Sequence, residues 1–281
     1  MANRDLARVL SFLELTVTRR LDGLLRGAFP SAAPGPGSDP DAAREYVIGD
    51  DVRRMDWAVT ARTGIAHVRD PEAERELECW IIAEPSPRLT TGFAATTKKH
   101  LLTAAVGAIS LLNNGPGSRT GLVAGDLLIP PGAGRSHSMQ LMHQVSEHAS
   151  SSNIAADIQA TLARAPRLGL LVVVSDFLGP IDWADALRVA STRAEVLVIR
   201  LVDTADEELP GEGPVLFADA ETGKTVPVNI NARTREKYRA HAASHTAAVT
   251  EAFRGAQARI ITLRTDEDWV VEFARQLGAR Q

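Results

Sequence analysis

Two polar stretches stand directly behind apolar runs, where a strand would hand its last residues to a loop. Cys79, Trp80, Ile81, Ile82 and Ala83 lead into Glu84-Pro85-Ser86-Pro87-Arg88, and the run "LGLLVVV" leads into Ser175-Asp176. Carboxylates and hydroxyls at neighbouring strand ends are hard oxygen donors, the set that binds a divalent cation such as Mg²⁺ with waters completing the shell. A third stretch, "GDDVRRMDW" from Gly49 to Trp57, sets Asp50, Asp51 and Asp56 beside Arg53 and Arg54, among Val52, Met55 and Trp57. Three uses are open for it: catalytic acids, a partner surface, or a polar staple in an extended segment anchored by Val52, Met55 and Trp57. Catalysis needs a pocket that perturbs the acids, and no such pocket is located by the sequence.

Other chemistries find less support. His241 and His245 are four residues apart on a helical stretch, but no Glu or third ligand completes a metalloprotease pattern. "GPGS" and "GAGR" are glycine turns without the spacing of a phosphate loop, and no Gly-x-Ser-x-Gly elbow offers a serine nucleophile. Cys79, the one cysteine, sits inside an apolar run, so no internal disulfide forms and a reducing cytoplasm is expected. The net charge of −4 gives no basic field for nucleic acid. The first twenty residues lack a signal-peptide layout, and no apolar run reaches the roughly 20 residues of a membrane span.

The elements that must position the two polar strand ends can be read from periodicity. Leu6, Val9, Leu10, Leu13, Val17, Leu21, Leu24 and Leu25 recur every three or four residues and predict an amphipathic helix from Asp5 to Leu25. "FPSAAPGPGSDPD" reads as a linker, and Arg44 to Val68 as a hairpin-like region. Strand and helix patterns then alternate. They predict a strand at Cys79–Ala83, a helix from Thr96 to Leu112, and a single strand "TGLVAGDLLI". After two more helical stretches come the strand "LGLLVVVSD", a helix near Trp183–Ala190 and the strand "AEVLVIRLVD". A hairpin turns at Glu221, Thr222 and Gly223, and a long helix, a short strand and a closing helix from Thr265 complete the chain. This order predicts an α/β fold, a doubly wound and mainly parallel sheet with an N-terminal helix and an extended β segment. Two parts are expected, residues 1–75 and residues 76–281.

From "REYVIGDDVRRMDWAVTARTG" onward the chain resembles the bacterial family called domain of unknown function 58. Gly49, Asp50, Asp51, Arg53, Arg54, Asp56, Trp57 and Arg62 belong to the most specific stretch; "SDFLG", "LVDTADEELPGEG" and "ADAETGK" support it. The resemblance implies a von Willebrand factor A-like domain with a metal-ion-dependent adhesion site. That site's first strand normally ends in Asp-x-Ser-x-Ser, joined by a threonine from a later loop and an aspartate after the central strand. Here Glu84 replaces the aspartate, Ser86 is kept, Arg88 replaces the second serine, and Asp176 matches the later aspartate. The threonine loop falls at Ser150–Asn153, where "SSSN" supplies hydroxyls without a threonine.

Mg²⁺ requires near-octahedral geometry at about 2.0–2.1 Å, and a guanidinium in a ligand's place opposes it. The departures therefore favour a metal-free site in which Arg88 neutralises Glu84 and Asp176. The alternative is a metal held by Glu84, Ser86 and Asp176. The resemblance further implies partnership with a MoxR-type AAA+ ATPase, so the expected role is a cytoplasmic, non-enzymatic adaptor or co-chaperone. A metal-dependent hydrolase using Glu84 and Asp176, and a scaffold that self-associates through the Asp5–Leu25 helix, are the other readings.

Overall fold

The computed structural model describes residues 42–47, 52, 55–70, 78–92, 94, 96–115, 117–150, 152–220 and 222–278. The predicted Asp5–Leu25 helix and the linker after it lie outside them, as do Gly49, Asp50, Asp51, Arg53 and Arg54. The first described unit is small. Strand β1 (Ala42–Glu45) pairs antiparallel with β2 (His67–Asp70), and helix α1 (Trp57–Thr63) lies between them in sequence. Asp56 is the N-cap of α1, its carboxylate accepting from Ala58 N at 3.0 Å and Val59 N at 3.1 Å. Arg62 sits in the last turn, where the helix dipole favours a cation. At Met55 and Asp56 the stretch is extended as expected, Met55 bridging antiparallel to Val68 and Asp56 lying in the β region, and a capped helix begins at its last residue, Trp57. Val52 and Trp57 do not anchor it, being 60% and 68% exposed.

The rest is a doubly wound α/β fold of the von Willebrand factor A type. Its six-stranded sheet has the order β10-β7-β6-β3-β4-β5, from β3 (Glu78–Ala83), β4 (Arg119–Ala124), β5 (Leu127–Gly132), β6 (Leu168–Ser175), β7 (Glu195–Val202) and β10 (Arg259–Arg264). All neighbours are parallel except β4 and β5. The stretch read as one strand is in fact this antiparallel pair: Ala124 faces Leu127 across a two-residue turn, with Gly125 at φ 64°. A turn of that length needs positive φ, which glycine supplies without steric cost.

Alternation along the strands divides the core into two layers. One face carries Ile81, Val172, Ile199 and Ile261 against helices α2 (Lys98–Leu112), α3 (Arg135–Glu147) and α8 (Trp269–Gly278). The other carries Ile82, Val173 and Val198 against α4 (Ile154–Arg164), α5 (Ala184–Ser191) and the second half of α7 (Ala232–Gly255). A short helix α6 (Thr204–Glu207) and the antiparallel hairpin of β8 (Gly213–Ala218) and β9 (Thr225–Ile230) lie between β7 and α7 in sequence. Helix α8 starts at Trp269, not Thr265, because Asp268 accepts from Val270 N and takes the cap position, while Thr265 donates its hydroxyl to Asp203 at 2.7 Å. On the outer edge of β10, Thr262 N–H donates to Gln276 Oε1 at 2.8 Å and Gln276 Nε2 donates to Thr262 O at 2.8 Å.

Candidate functional site

The direction of winding reverses between β3 and β6. From β3 the chain moves outward through β4 and β5, then returns to the other side of β3 and continues through β6, β7 and β10. The carboxyl ends of two such strands border a crevice, the usual ligand position in open α/β sheets. Glu84 follows β3 and Asp176 follows β6, so both stand at this point. Glu84 N–H donates to Val174 O at 3.1 Å, which continues the parallel ladder by one bond and fixes the loop's origin. Pro87 then opens a 3₁₀ turn (Pro87–Thr90) capped by Ser86, whose hydroxyl accepts from Arg88 N at 3.3 Å. That turn aims Arg88 back across the crevice.

Arg88 donates to Asp176 from two nitrogens: Nε lies 3.1 Å from both carboxylate oxygens and Nη2 lies 2.9 Å from Oδ1. The same Nη2 reaches Glu84 Oε1 at 2.7 Å. Glu84 Oε2 accepts from the Ser175 hydroxyl, which itself accepts from Phe177 N at 2.8 Å. The structure adds a second cation that the sequence reading missed. Lys98, in the first turn of α2 and buried, donates from Nζ to Asp176 Oδ2 at 2.9 Å and to Asp206 Oδ1 at 2.9 Å. Three carboxylates thus share one guanidinium and one ammonium. The chain of polar contacts continues along the sheet's carboxyl edge: Asp206 and Asp203 cap α6 reciprocally, and Asp203 accepts from Thr265 after β10. Gly92 passes so close that a Cβ there would lie 2.8 Å from Asp203 Oδ2, so any larger residue would push on this chain.

Charge states follow from burial and neighbours. Burial alone would raise Asp176, but the Lys98 ammonium and the Arg88 guanidinium outweigh it and hold the carboxyl below its usual value. Burial raises Glu84, with Arg88 and Ser175 opposing it, and raises Asp206, with Lys98 opposing. For Lys98, burial works against the ammonium, yet Asp176 and Asp206 carry its pKa above the ordinary lysine value. A further carboxyl, Asp157 in α4, is raised to about 6, first by burial and partly by Glu84. Among the described residues its Oδ2 and the Ser152 hydroxyl are buried without a hydrogen-bond partner.

The predicted residues therefore fall as follows. Glu84, Ser86, Arg88 and Asp176 come together at one crevice. The Ser150–Asn153 loop adjoins them, since Ser150 N donates to Pro85 O at 3.2 Å. Every carboxylate oxygen of Glu84 and Asp176 already accepts a hydrogen bond from the chain, and two fixed cations sit within the shell a metal would occupy. This donor set does not fit a divalent cation. Phe177, directly after Asp176, is held in the left-handed region at φ 53°. Its ring packs edge-on between Trp183 and Phe253, and His245 donates to its carbonyl at 2.8 Å. A signal for Lys98 was present: a lysine opening an otherwise apolar helix stands against the helix dipole, so it needs a carboxylate partner. Asp206 lies in "LVDTADEELPGEG" behind an apolar strand, the same pattern that marked Asp176.

Residues 42–248 match the family model described as "Protein of unknown function DUF58", and the chain belongs to that family. It is 41% identical over 285 residues to the uncharacterized protein Rv1480 of Mycobacterium tuberculosis, covering 98% of this chain and 90% of that one. The uncharacterized protein Mb1516 of Mycobacterium bovis is similar to the same extent, 41% over 285 residues with 98% and 90% coverage. Among solved structures, the conserved hypothetical protein BatB from Bacteroides thetaiotaomicron aligns with a TM-score of 0.45 at 15% identity, over 72% of this chain and 96% of that one. An aerotolerance-related membrane protein from Bacteroides fragilis gives 0.45 at 16%, over 72% and 98%. Among the described residues, no helix of this chain is long and apolar enough to cross a membrane.

Proposed function

We propose that this member of the DUF58 family is a non-enzymatic, cytoplasmic adaptor or co-chaperone for a MoxR-type AAA+ ATPase, and that its crevice is a metal-ion-dependent adhesion site in which Arg88 and Lys98 replace the metal. The observation that carries this reading is the Arg88 guanidinium lying across Asp176 and Glu84. In an intact site of this kind a divalent cation binds the strand-end acids and leaves one position for an acidic residue of the partner. Arg88 supplies the same sign of charge to the same acids, and its side chain remains 23% exposed at the rim. A partner carboxylate can approach it there through charge-assisted hydrogen bonds. No cofactor is needed, and the paired state of Glu84 and Asp176 leaves neither as a general base.

The test is binding of the purified full chain to the MoxR-type ATPase of the same genome, with nucleotide held constant, in Mg²⁺ and in EDTA. Equal affinity in both, with loss in Arg88→Ala, supports the reading. Binding that disappears with EDTA, or that survives Arg88→Ala unchanged, rejects the surrogate-cation site. Absence of binding in either condition rejects the partner. Thermal stability of the chain alone is expected to be the same in millimolar Mg²⁺ and in EDTA.

A further inference from the structure

Helix α7 is 24 residues long, yet its buried side chains are Val249 and Phe253, both in its second half. The first half meets α6 and the β8–β9 hairpin instead. Between them is a cavity of about 520 Å³, within the range of sites that hold ligands or anchor side chains. Its walls are mainly apolar, with Leu209, Pro210, Phe217 and Val228 facing Tyr238 and Lys237. The floor is fixed, because the Tyr238 hydroxyl donates to Ala205 O at 2.6 Å. Apolar surface continues on the same face of the hairpin at Val226, which stands opposite Phe217 in register and is 57% exposed.

The rim carries a specific charge pattern. Arg235 is paired with Glu212, and Arg239 with Glu208 and Glu236. Arg233 and Lys237 are exposed and have no ion pair among the described residues. With His241 they stand at i, i+4 and i+8, so one stripe of the helix flanks the cavity with two cations and an imidazole. Unpaired cations beside an apolar cavity match a partner that brings carboxylates next to a bulky apolar side chain. The chain's own first 26 residues are a poor match. They carry Arg4, Arg8, Arg19, Arg20 and Arg26 against Asp5, Glu14 and Asp22.

We propose that the cleft between the β8–β9 hairpin and the first half of α7 is a docking groove for an acidic, apolar peptide segment of a partner protein. A leucine or aromatic side chain fills the cavity, and flanking carboxylates pair with Arg233 and Lys237. The inference rests on the adaptor reading for its context, and it is independent of the Arg88 crevice.

The experiment is to pan a displayed random dodecapeptide library on the full chain, then to synthesise the enriched peptides and titrate them by fluorescence anisotropy. Enriched sequences are expected to combine Asp or Glu with Leu, Phe or Trp. They are expected to bind about tenfold or more weakly to Arg233→Glu/Lys237→Glu and to Val228→Asp, each checked for unchanged circular dichroism, and to weaken with salt. The titration needs no ATPase and the groove shares no residue with the Arg88 crevice, so a failure of the crevice reading leaves this result standing. No enrichment, or peptides that bind the charge-reversed variant equally, overturns the proposal. Displacement by octanoate at equal concentration would assign the cavity to a small amphipathic acid, and displacement by a peptide of residues 1–26 would assign it to the chain itself. Either outcome also overturns it.

Discussion

Arg88 and Asp176 are 88 residues apart in the chain, yet two nitrogens of one contact both oxygens of the other. Asp176 is fully buried, so its charge is tolerable only while these partners remain. Arg88→Ala is expected to destabilise the fold by about 2–4 kcal/mol, near the lower side of the range for a broken buried pair because Arg88 keeps some solvent contact. Arg88→Lys restores a charge without the planar fork, and should recover less than half of the loss. Urea denaturation midpoints measure both.

Lys98 serves two acids at once, which makes its removal more costly than its single charge suggests. Lys98→Met keeps the stem's volume and leaves Asp176 and Asp206 facing one another with less compensation. A loss of about 3–5 kcal/mol is expected. Adding Asp206→Asn to Lys98→Met should regain part of that loss, since one of the two orphaned charges disappears. A double-mutant cycle on thermal unfolding reads the coupling directly.

Asp157 contributes in the opposite sense. Burial pushes its carboxyl up to about 6, well above the ordinary aspartate value. A raised folded pKa means that stability is complete below the unfolded value and falls as pH rises through the folded one. The expected loss between pH 4 and pH 7 is about 1–2 kcal/mol, after discounting for the group's partial solvent contact. Asp157→Asn should therefore match wild type near pH 4 and exceed it in melting temperature near pH 7. A variant with no gain at neutral pH would contradict the assigned shift.

Gln276 closes the open side of β10 by pairing both backbone groups of Thr262. Gln276→Ala returns a free N–H and C=O to an edge strand, the usual template for pairing between chains. Stability should fall by about 1 kcal/mol per net hydrogen bond lost. The variant should also elute earlier from a sizing column as its concentration rises, whereas wild type should not.

Much of the scaffold was legible because β3 and β6 are buried on both faces and read as unbroken apolar runs. Glu84 and Asp176 were legible for a related reason: each is the first acid after such a run. The β4–β5 pair was misread because its strands are apolar on either side of Gly125-Asp126, so one continuous hydrophobic signal covered a reversal of direction. Trp57 looked like an anchor by residue type, but it opens a capped helix and faces outward. Thr265 looked like a helix start, with Asp266, Glu267 and Asp268 behind it, but the hydroxyl was already committed to Asp203. Lys98 carried a signal, a lysine against the helix dipole, but its partners Asp176 and Asp206 are 78 and 108 residues away, and only tertiary packing identifies them.

The pairing of Gln276 with Thr262 also sets an order of events in time. The guard residue lies 14 positions after Thr262, the residue it covers. At ribosomal speeds of about 5–20 residues per second, β10 is synthesised roughly one to three seconds before Gln276. In any folding state where β10 has joined β7 and α8 has not yet docked, the strand presents an unprotected border to neighbouring chains. Substitutions that loosen α8 without touching β10 should therefore raise aggregation during refolding, although the strand itself is unchanged.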